Sequence, residues 1–558
     1  MFPRITSILL SLIALAQSKP TVNLGNTIVT GVSFSNVEFY GGIPYAEPPV
    51  GRLLFKAPVL KRALNVPTFN ATTYGIPCLQ DPNTNPGAMS PSSEDCLTIN
   101  IYKPAGLAST DSLPVMAYIH GGGFVAGASS TYNASAIISQ SINRGTPVIY
   151  ASFNYRLGPL GFPAGREAFT RHALNLGLRD QLTALQWIQD NIAVFNGDKS
   201  KVTVFGESAG AISLGVLFLN SNLEKLARAA ILQSGGPATT PVFDHSRRQG
   251  DWDNFVRAVP ECADGVHTGN SITCLQAANS SALLQALVTS SGQANEGYPW
   301  VPTLDGPSGL LPALPSVLFT AGKFARMPFI AGTNLDEGTF FTTPLTNSTA
   351  MIRSYLISNY TSPAVAAEKL DSAVERLLQL YPDVPALGSP FNTGNDTFGL
   401  SSQYKRYSAI MGDLMFQSQR RAWIQAASKF GVKTFGYLFT DPAPPIVIPT
   451  LGNRLASLDA LGVTHTADIL YVYGDEAGVG GSPSAVALST RMIDYWVSFA
   501  TSLDPNDGLG SARPVWSEYG CDAQMLLQFN GDNTTLIPDT YREEQTSFIN
   551  SNAAVFSH

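Results

Sequence analysis

The chain has 558 residues, 44% of them hydrophobic, with 49 glycines and 38 prolines. This length exceeds the usual size of a single hydrophobic core, so it predicts either two domains or one large α/β domain with insertions. The 34 basic and 41 acidic residues give a formal net charge of -7 without any block of like charge, which argues against a nucleic-acid partner.

The first 18 residues are typical of a secretory signal peptide. They contain Arg4, an apolar run from Ile8 to Ala16 and the small-x-small exit Ala14-Leu15-Ala16. The run is too short to span a bilayer, and the later sequence has no stretch of about 18 apolar residues that could do so. We therefore expect a secreted, soluble mature chain of residues 19–558, without integral membrane association.

The five cysteines become disulfide candidates because the secretory route is oxidising. Pairing Cys78 with Cys96 and Cys262 with Cys274 would close two short loops and leave Cys521 over, although spacing alone does not prove this pairing. The same route makes the seven N-x-S/T sites glycosylation candidates: Asn70, Asn133, Asn279, Asn347, Asn359, Asn395 and Asn533.

Apolar runs predict strands, in chain order, at 114–119, 147–153, 201–205, 327–331 and 434–439. Helices are predicted between and after these strands, at 175–191, within 350–429 and at 484–503. Strands that alternate with helices favour a mainly parallel, doubly wound sheet of the α/β class. We expect one elaborated domain, with the region 350–429 as a helical insertion packed over the sheet.

The stretch 202–210, VTVFGESAG, places Ser208 between two glycines, after a predicted strand and before a helix. This is the pattern of a nucleophile elbow, in which the glycines let strand and helix approach closely and the serine hydroxyl stands exposed at a strained turn. An ordinary glycine-flanked turn is the alternative interpretation.

A nucleophilic serine needs a histidine base, and the base needs a carboxylate that orients it. Where a serine elbow is used, the chain order is serine, acid, histidine. Only His465 and His558 follow the middle of the chain. We expect His558, the last residue, to be frayed, so His465 is the predicted base. The acid is Asp336 or Glu337, and chemistry alone does not choose between them.

His120 to Gly123 reads HGGG directly after the predicted strand 114–119. Loops of this type supply backbone amides that hold the oxyanion of a tetrahedral intermediate. The predicted donors are Gly122, Gly123 and Ala209, and acyl transfer on these groups requires neither a metal nor a cofactor.

Several long segments together resemble the type B carboxylesterase and lipase family, which includes cholinesterases and secreted fungal lipases. They are FYGGIPYAEPPVGRLLF, SSEDCLTINIY, HGGGF, FNYRLGPLGF, NLGLRDQLTALQWIQDNIAVFNGD, VTVFGESAG, ILQSGG and GTNLDEGTFF. The resemblance runs through nearly the whole mature chain. It implies an α/β-hydrolase fold, with a large, mostly parallel central sheet flanked by helices and helical insertions.

The resemblance also implies roles for individual residues. It makes Glu337 the acid of the triad and agrees with the three oxyanion donors. It implies the disulfides Cys78–Cys96 and Cys262–Cys274, and two structural ion pairs, Arg52 with Glu94 and Arg156 with Asp180.

The loop 79–95, between the first two cysteines, is short and mostly polar, with Leu79, Ala88 and Met89 as its main apolar residues. Lipases of the resembled family carry a long amphipathic lid there, so we expect an esterase with weak or absent interfacial activation. The loop has no tryptophan, which disfavours a choline-ester specialist. The alternatives are a lipase or sterol esterase that acts on long acyl chains and, more remotely, a non-catalytic adhesion protein. The sequence leaves the oligomeric state open.

Overall fold

The structure is a computed structural model that describes residues 19–82, 91–219, 221–294, 298–442, 458–475 and 481–558. The predicted signal peptide and residues 83–90 of the polar loop lie outside the described residues. Within the described ranges, no helix has both the length and the apolar character needed to cross a membrane.

The described β-strands are β1 Thr21–Leu24, β2 Thr27–Thr30, β3 Val32–Phe34, β4 Val37–Pro44, β5 Thr68–Asn70, β6 Thr98–Pro104, β7 Leu113–Ile119, β8 Ile149–Phe153, β9 Gly197–Glu207, β10 Ala229–Gln233, β11 Phe329–Asn334, β12 Thr434–Phe439, β13 Met525–Phe529 and β14 Thr535–Pro538. The five predicted strands correspond to β7, β8, β9, β11 and β12. The short β10, which lies between β9 and β11, was not predicted.

The described α-helices are α1 Ser135–Asn143, α2 Gly158–Gly161, α3 Gly165–Thr170, α4 Leu176–Asn191, α5 Ala209–Phe218, α6 Gln249–Arg257, α7 Gly265–Thr268, α8 Ser271–Leu275, α9 Ser280–Ser291, α10 Pro315–Thr320, α11 Thr349–Tyr360, α12 Ala367–Leu380, α13 Ser402–Gly412, α14 Ser418–Lys429, α15 Ile469–Tyr473, α16 Pro483–Ser502 and α17 Glu543–Ser551. The predicted helices correspond to α4, α11 to α14 and α16.

The main sheet has 11 strands in the order β14-β13-β12-β11-β10-β9-β7-β8-β6-β4-β3. Its middle, from β8 to β13, is parallel, as predicted. Antiparallel pairs close both ends, so the sheet as a whole is mixed. A second small sheet pairs β1, β2 and β5.

Hydrophobic cores lie on both faces of the main sheet. Val204 of β9 packs into the core that contains residues of α4 and α5, whereas Phe205 packs into the core that contains residues of α16. Strands buried on both faces read as continuous apolar runs, which explains why the sequence revealed every strand from β7 to β12 except the short β10.

The region 349–429 forms the predicted helical layer. A π-helical turn, Asp413–Gln417, connects α13 to α14, and α14 packs against β11 and β12. Helices α11 and α12 share a third core with the C-terminal residues Ile549 and Phe556.

The prediction that His558 is frayed is wrong. Its side chain is fully buried, its backbone N–H donates to Ala553 (2.9 Å) and its carbonyl oxygen accepts from Ser316 Oγ (2.6 Å). Its ring lies 5.9 Å from that of Tyr360. The C-terminal segment packs into the helical layer because Phe556 supplies an apolar side chain that this layer buries.

Both predicted disulfides are present, Cys78–Cys96 and Cys262–Cys274, and Cys521 is free and exposed. The implied ion pair of Arg156 with Asp180 is also present, with Nη2 2.7 Å from Oδ1. The implied pair of Arg52 with Glu94 is wrong. In the described part of the chain Arg52 is exposed without an ion pair, and the Glu94 carboxylate accepts from Ser280 Oγ at the start of α9.

Candidate active site

Four polar segments follow strands at one edge of the main sheet. The glycine loop at 120–123 follows β7, Ser208 follows β9, Glu337 follows β11, and His465 lies in the connection after β12. Because these strands are parallel and close together in the sheet, their carboxyl ends meet at the same edge.

Ser208 stands at the turn between β9 and α5 with φ 52° and ψ -124°. This strained conformation depends on the flanking glycines. A Cβ atom at Gly206 would lie 2.8 Å from the carbonyl oxygen of Ile119, and one at Gly210 would lie 2.0 Å from the same oxygen. The backbone N–H of Ser208 donates to Gln233 (3.0 Å), which ties the turn to β10.

His465 connects the serine to a carboxylate. Its Nε2 lies 2.8 Å from Ser208 Oγ, and its Nδ1 lies 2.5 Å from Oε2 of Glu337. The other oxygen of Glu337 accepts from Ser234 Oγ (2.7 Å) and from the backbone N–H of Asn334 (2.7 Å). The carboxylate is fully buried and held by three hydrogen bonds, so it orients the imidazole rigidly.

The pKa of His465 is raised. Burial alone would lower it, but the charge and hydrogen bond of Glu337, together with the charges of Glu207 and Asp468, outweigh that effect. The environment therefore stabilises the imidazolium form, which a base must adopt after it accepts a proton.

The structure distinguishes Asp336 from Glu337. Oδ1 of Asp336 accepts from Ser389 Oγ and the backbone N–H of Phe391, and Oδ2 accepts from the backbone N–H of Val463. These bonds turn its carboxylate toward neighbouring loops, whereas the carboxylate of Glu337 contacts His465. Burial raises the pKa of Asp336 to about 6.

The glycine loop has a conformation that side chains would obstruct. Gly122 has φ +106° and Gly123 has φ +60°, and a Cβ atom at Gly122 would lie 2.0 Å from the carbonyl oxygen of Ala126. Among the described residues, the backbone N–H groups of Gly122, Gly123 and Ala209 find no acceptor. Unpaired amides beside a serine hydroxyl are suited to receive an oxyanion.

His120 is buried at the start of this loop. Its Nδ1 lies 2.8 Å from the carbonyl oxygen of Gly121, and its ring stacks on Tyr155 with centroids 4.4 Å apart. Burial lowers its pKa to about 4, so the ring is neutral near neutral pH. His120 is therefore a packing residue of the loop.

Sequence reasoning missed a second buried carboxyl group at the site. Oε1 of Glu207 lies 3.4 Å from Nε2 of His465. Burial raises the pKa of Glu207 to about 8, with the charge of His465 opposing this and those of Asp468 and Glu337 adding to it. Its position directly before Ser208 is the signal that could have identified it.

Sequence reasoning also missed Asp468, one turn beyond His465. Its carboxylate is fully buried and accepts from Tyr437 OH (2.7 Å), Gln233 Nε2 (3.0 Å) and Asn334 Nδ2 (3.3 Å). These three donors come from three neighbouring strands or their ends. Asp468 thus attaches the segment that contains His465 to the sheet. No local sequence pattern predicts this contact.

Aromatic rings surround the imidazole. The ring centroids of Phe340, Phe341 and Phe416 lie 5.6, 5.0 and 5.0 Å from that of His465. The ring of Tyr298 covers Gly123, where a Cβ atom would lie 2.3 Å from it. This apolar surround shields the imidazole from water and offers contact to the carbon skeleton of a substrate. Within the described ranges, no group of His, Cys, Asp or Glu side chains is placed to hold a metal ion.

A strand-turn-helix serine, a buried histidine and a carboxylate at the carboxyl edge of a mainly parallel sheet define the α/β-hydrolase fold. The model of the carboxylesterase family matches residues 18–549, and the chain belongs to this family. It is accordingly a carboxylic-ester hydrolase.

Individual relatives agree with this assignment. The chain is 32% identical to Lipase 2 of Geotrichum candidum, over 96% of this chain and 95% of that protein. It is 34% identical to Secreted lipase 1 of Botryotinia fuckeliana (strain B05.10), over 96% and 94%. The crystal structure of Aspergillus niger EstA superposes with a TM-score of 0.80 and 25% identity, covering 97% of this chain and 99% of that one.

Proposed function

We propose that the protein hydrolyses carboxylic esters through an acyl-enzyme formed on Ser208. The observation that carries this proposal is the continuous chain of hydrogen bonds from Ser208 Oγ through His465 to Glu337. Ser208 attacks the ester carbonyl while His465 accepts its proton, and His465 then protonates the leaving alcohol. Water activated by the same imidazole releases the acid.

The backbone amides of Gly122, Gly123 and Ala209 are the proposed donors to the oxyanion. Their support is the glycine conformation of the loop and the position of Ala209 as the first residue of α5, beside the nucleophile. Amide donors fixed before the reaction stabilise charge without reorganising during it.

The wider features of the sequence complete this proposal. Residues 1–18 act as a signal peptide, residues 19–558 form one α/β-hydrolase domain, and the protein is secreted. Support for secretion comes from relatives named as secreted lipases. The seven N-x-S/T sites remain glycosylation candidates, and exposed positions such as Asn70, Asn133 and Asn279 are accessible to modification.

The test of the proposal compares Ser208→Ala with the wild-type enzyme on nitrophenyl esters. We expect the variant to lose turnover and to form no covalent adduct with an organophosphate. Two results would contradict the assignment of the nucleophile. One is an organophosphate adduct on the elbow peptide of the variant, and the other is ester turnover by the variant.

A second candidate is a true lipase or sterol esterase, because several relatives carry the name lipase. Our preference for an esterase depends on the short polar loop 79–95, which stays a prediction. An ester panel of short acyl, long acyl, sterol and aromatic acids distinguishes the two. Activity that rises sharply when a triglyceride exceeds its solubility limit would favour the lipase.

A further inference from the structure

The carboxylate of Asp336 joins three segments of the chain beside the acid of the site. It accepts three hydrogen bonds, from Ser389 Oγ (2.8 Å), from the backbone N–H of Phe391 (2.8 Å) and from the backbone N–H of Val463 (2.9 Å). Its exposure is 2%, so water does not replace these donors. Val463 is two residues before His465, so one of the three bonds acts on the segment that carries the base.

The backbone around Asp336 binds the same segment. The N–H of Asp336 donates to the carbonyl oxygen of Val463 (2.9 Å), and Asp336 forms a parallel bridge with Thr464. Thr339 Oγ1 lies 2.7 Å from the carbonyl oxygen of Leu461 and 2.9 Å from Oγ1 of Thr464. Residues 461–464 are therefore attached to the acid-bearing loop at several points immediately before His465.

We propose that Asp336 is a positioning residue for ester hydrolysis, whose carboxylate holds the segment 461–464 so that His465 reaches Ser208 and Glu337 together. This inference rests on the proposed function of those three residues. The imidazole must satisfy hydrogen bonds at both of its nitrogens, so its tolerance to displacement is small. A misplacement of about 1 Å in a reacting group costs about 10²-fold in rate.

The hydrogen-bond donors around position 336 require a carboxylate. Three donors converge on two acceptor oxygens, and an asparagine would supply one oxygen and one amino group. If its oxygen faced Ser389 and Phe391, its amino group would oppose the N–H of Val463. In the flipped orientation it would oppose the N–H of Phe391. Asp336→Asn therefore loses at least one bond and adds a donor-donor contact at nearly constant volume.

The experiment compares full-length wild type with Asp336→Asn, using nitrophenyl butyrate and organophosphate titration of active sites. Per titrated site, we expect kcat to fall by about 10- to 100-fold while KM stays within about twofold of wild type. Ser389→Ala removes a single hydrogen bond to the same carboxylate. Ser389→Ala should lower kcat by a smaller factor, again with little change in KM. If Asp336→Asn does not fold, Ser389→Ala serves as the test variant.

Asp494→Asn is the control, because the Asp494 carboxylate on α16 is fully buried, accepts from Ser511 N–H (2.6 Å), Ser511 Oγ (2.6 Å) and Gln140 Nε2 (2.9 Å), and pairs with Arg144 (Nε 3.4 Å from Oδ1). We expect it to lower the thermal midpoint and leave kcat per site unchanged.

Unchanged kcat in both Asp336→Asn and Ser389→Ala would overturn the inference, as would an equal loss of kcat in Asp494→Asn. Failure of the proposed function would show differently, as a wild-type enzyme without ester turnover or a Ser208→Ala variant that retains it.

Discussion

The proposed nucleophile and the proposed base lie in parts of the chain that are built in different ways. The elbow at 202–210 consists of a strand, a helix and two glycines that adjoin Ser208 in sequence. The base lies in the segment 458–475, whose regular structure is a short 3-10 turn, Leu458–Leu461, and the five-residue helix α15. Hydrogen bonds from His465 instead reach residues 128 and 257 positions away.

This difference separates local from tertiary control of the chemistry. The glycines that permit the strained backbone of Ser208 adjoin it in sequence, so the turn is recognisable locally, although β7 and β10 pack against it. The position of His465 depends on Glu337, Asp336 and Asp468, which are brought together by the complete sheet. Changes at the elbow should therefore affect folding, and changes around the base should affect catalysis.

The largest effect is expected at the elbow. In Gly210→Ala the added methyl group would lie 2.0 Å from the carbonyl oxygen of Ile119, and the nearest atoms, of Ile119 and His120, are all backbone and cannot rotate away. We expect little soluble protein and no esterase activity, measured as secreted yield and nitrophenyl ester turnover. Gly250→Ala on α6 is the control, since its Cβ atom meets nothing within 4 Å. Wild-type yield and activity in Gly210→Ala would contradict the requirement for a glycine where the elbow packs against β7.

Glu337→Gln should reduce catalysis while leaving the fold intact. The glutamine keeps the shape of the side chain but lacks the charge that stabilises the imidazolium, so we expect kcat to fall by up to about 10⁴-fold. The thermal midpoint measures folding in the same samples. Glu375→Gln, at an exposed ion pair with Arg353, is the control and should retain full activity. A loss of stability that accounts for the loss of activity would show that base and nucleophile are not separable.

The smallest effect concerns Glu207, which links the two regions because it precedes Ser208 and its carboxyl lies 3.4 Å from His465. Its pKa is raised from 4.5 to about 8. Between these values the unfolded chain has released the proton that the folded chain retains, so stability from this group decreases as pH rises through that window.

Glu207→Gln removes this titration, so its thermal midpoint should fall less than that of wild type between about pH 5 and about pH 8. The exposed Glu518→Gln is the control and should follow the wild-type profile. Parallel profiles of Glu207→Gln and wild type would show that Glu207 is already ionised in the folded chain at low pH.

The sequence predicted five of the six strands from β7 to β12, with β10 missed, and its candidate site residues were proposed from short-range patterns. Buried parallel strands appear as apolar runs, and the elbow and glycine loop are recognisable within a few residues. The wrong predictions concern long-range packing. Nothing local shows that His558 is buried beside Ser316, or that Glu94 faces Ser280 rather than Arg52.

By itself, the sequence determined the reaction class and supplied a candidate nucleophile and base, and the family resemblance implied the cysteine pairs. It left Asp336 and Glu337 as equal candidates from chemistry, because two adjacent carboxylates are identical in local pattern. In the tertiary structure Glu337 contacts His465, while the carboxylate of Asp336 contacts Val463 and two residues of another loop. The physical reason is that adjacent side chains in a turn point in different directions. Which segments of the chain each carboxylate contacts is determined only when the whole sheet has folded.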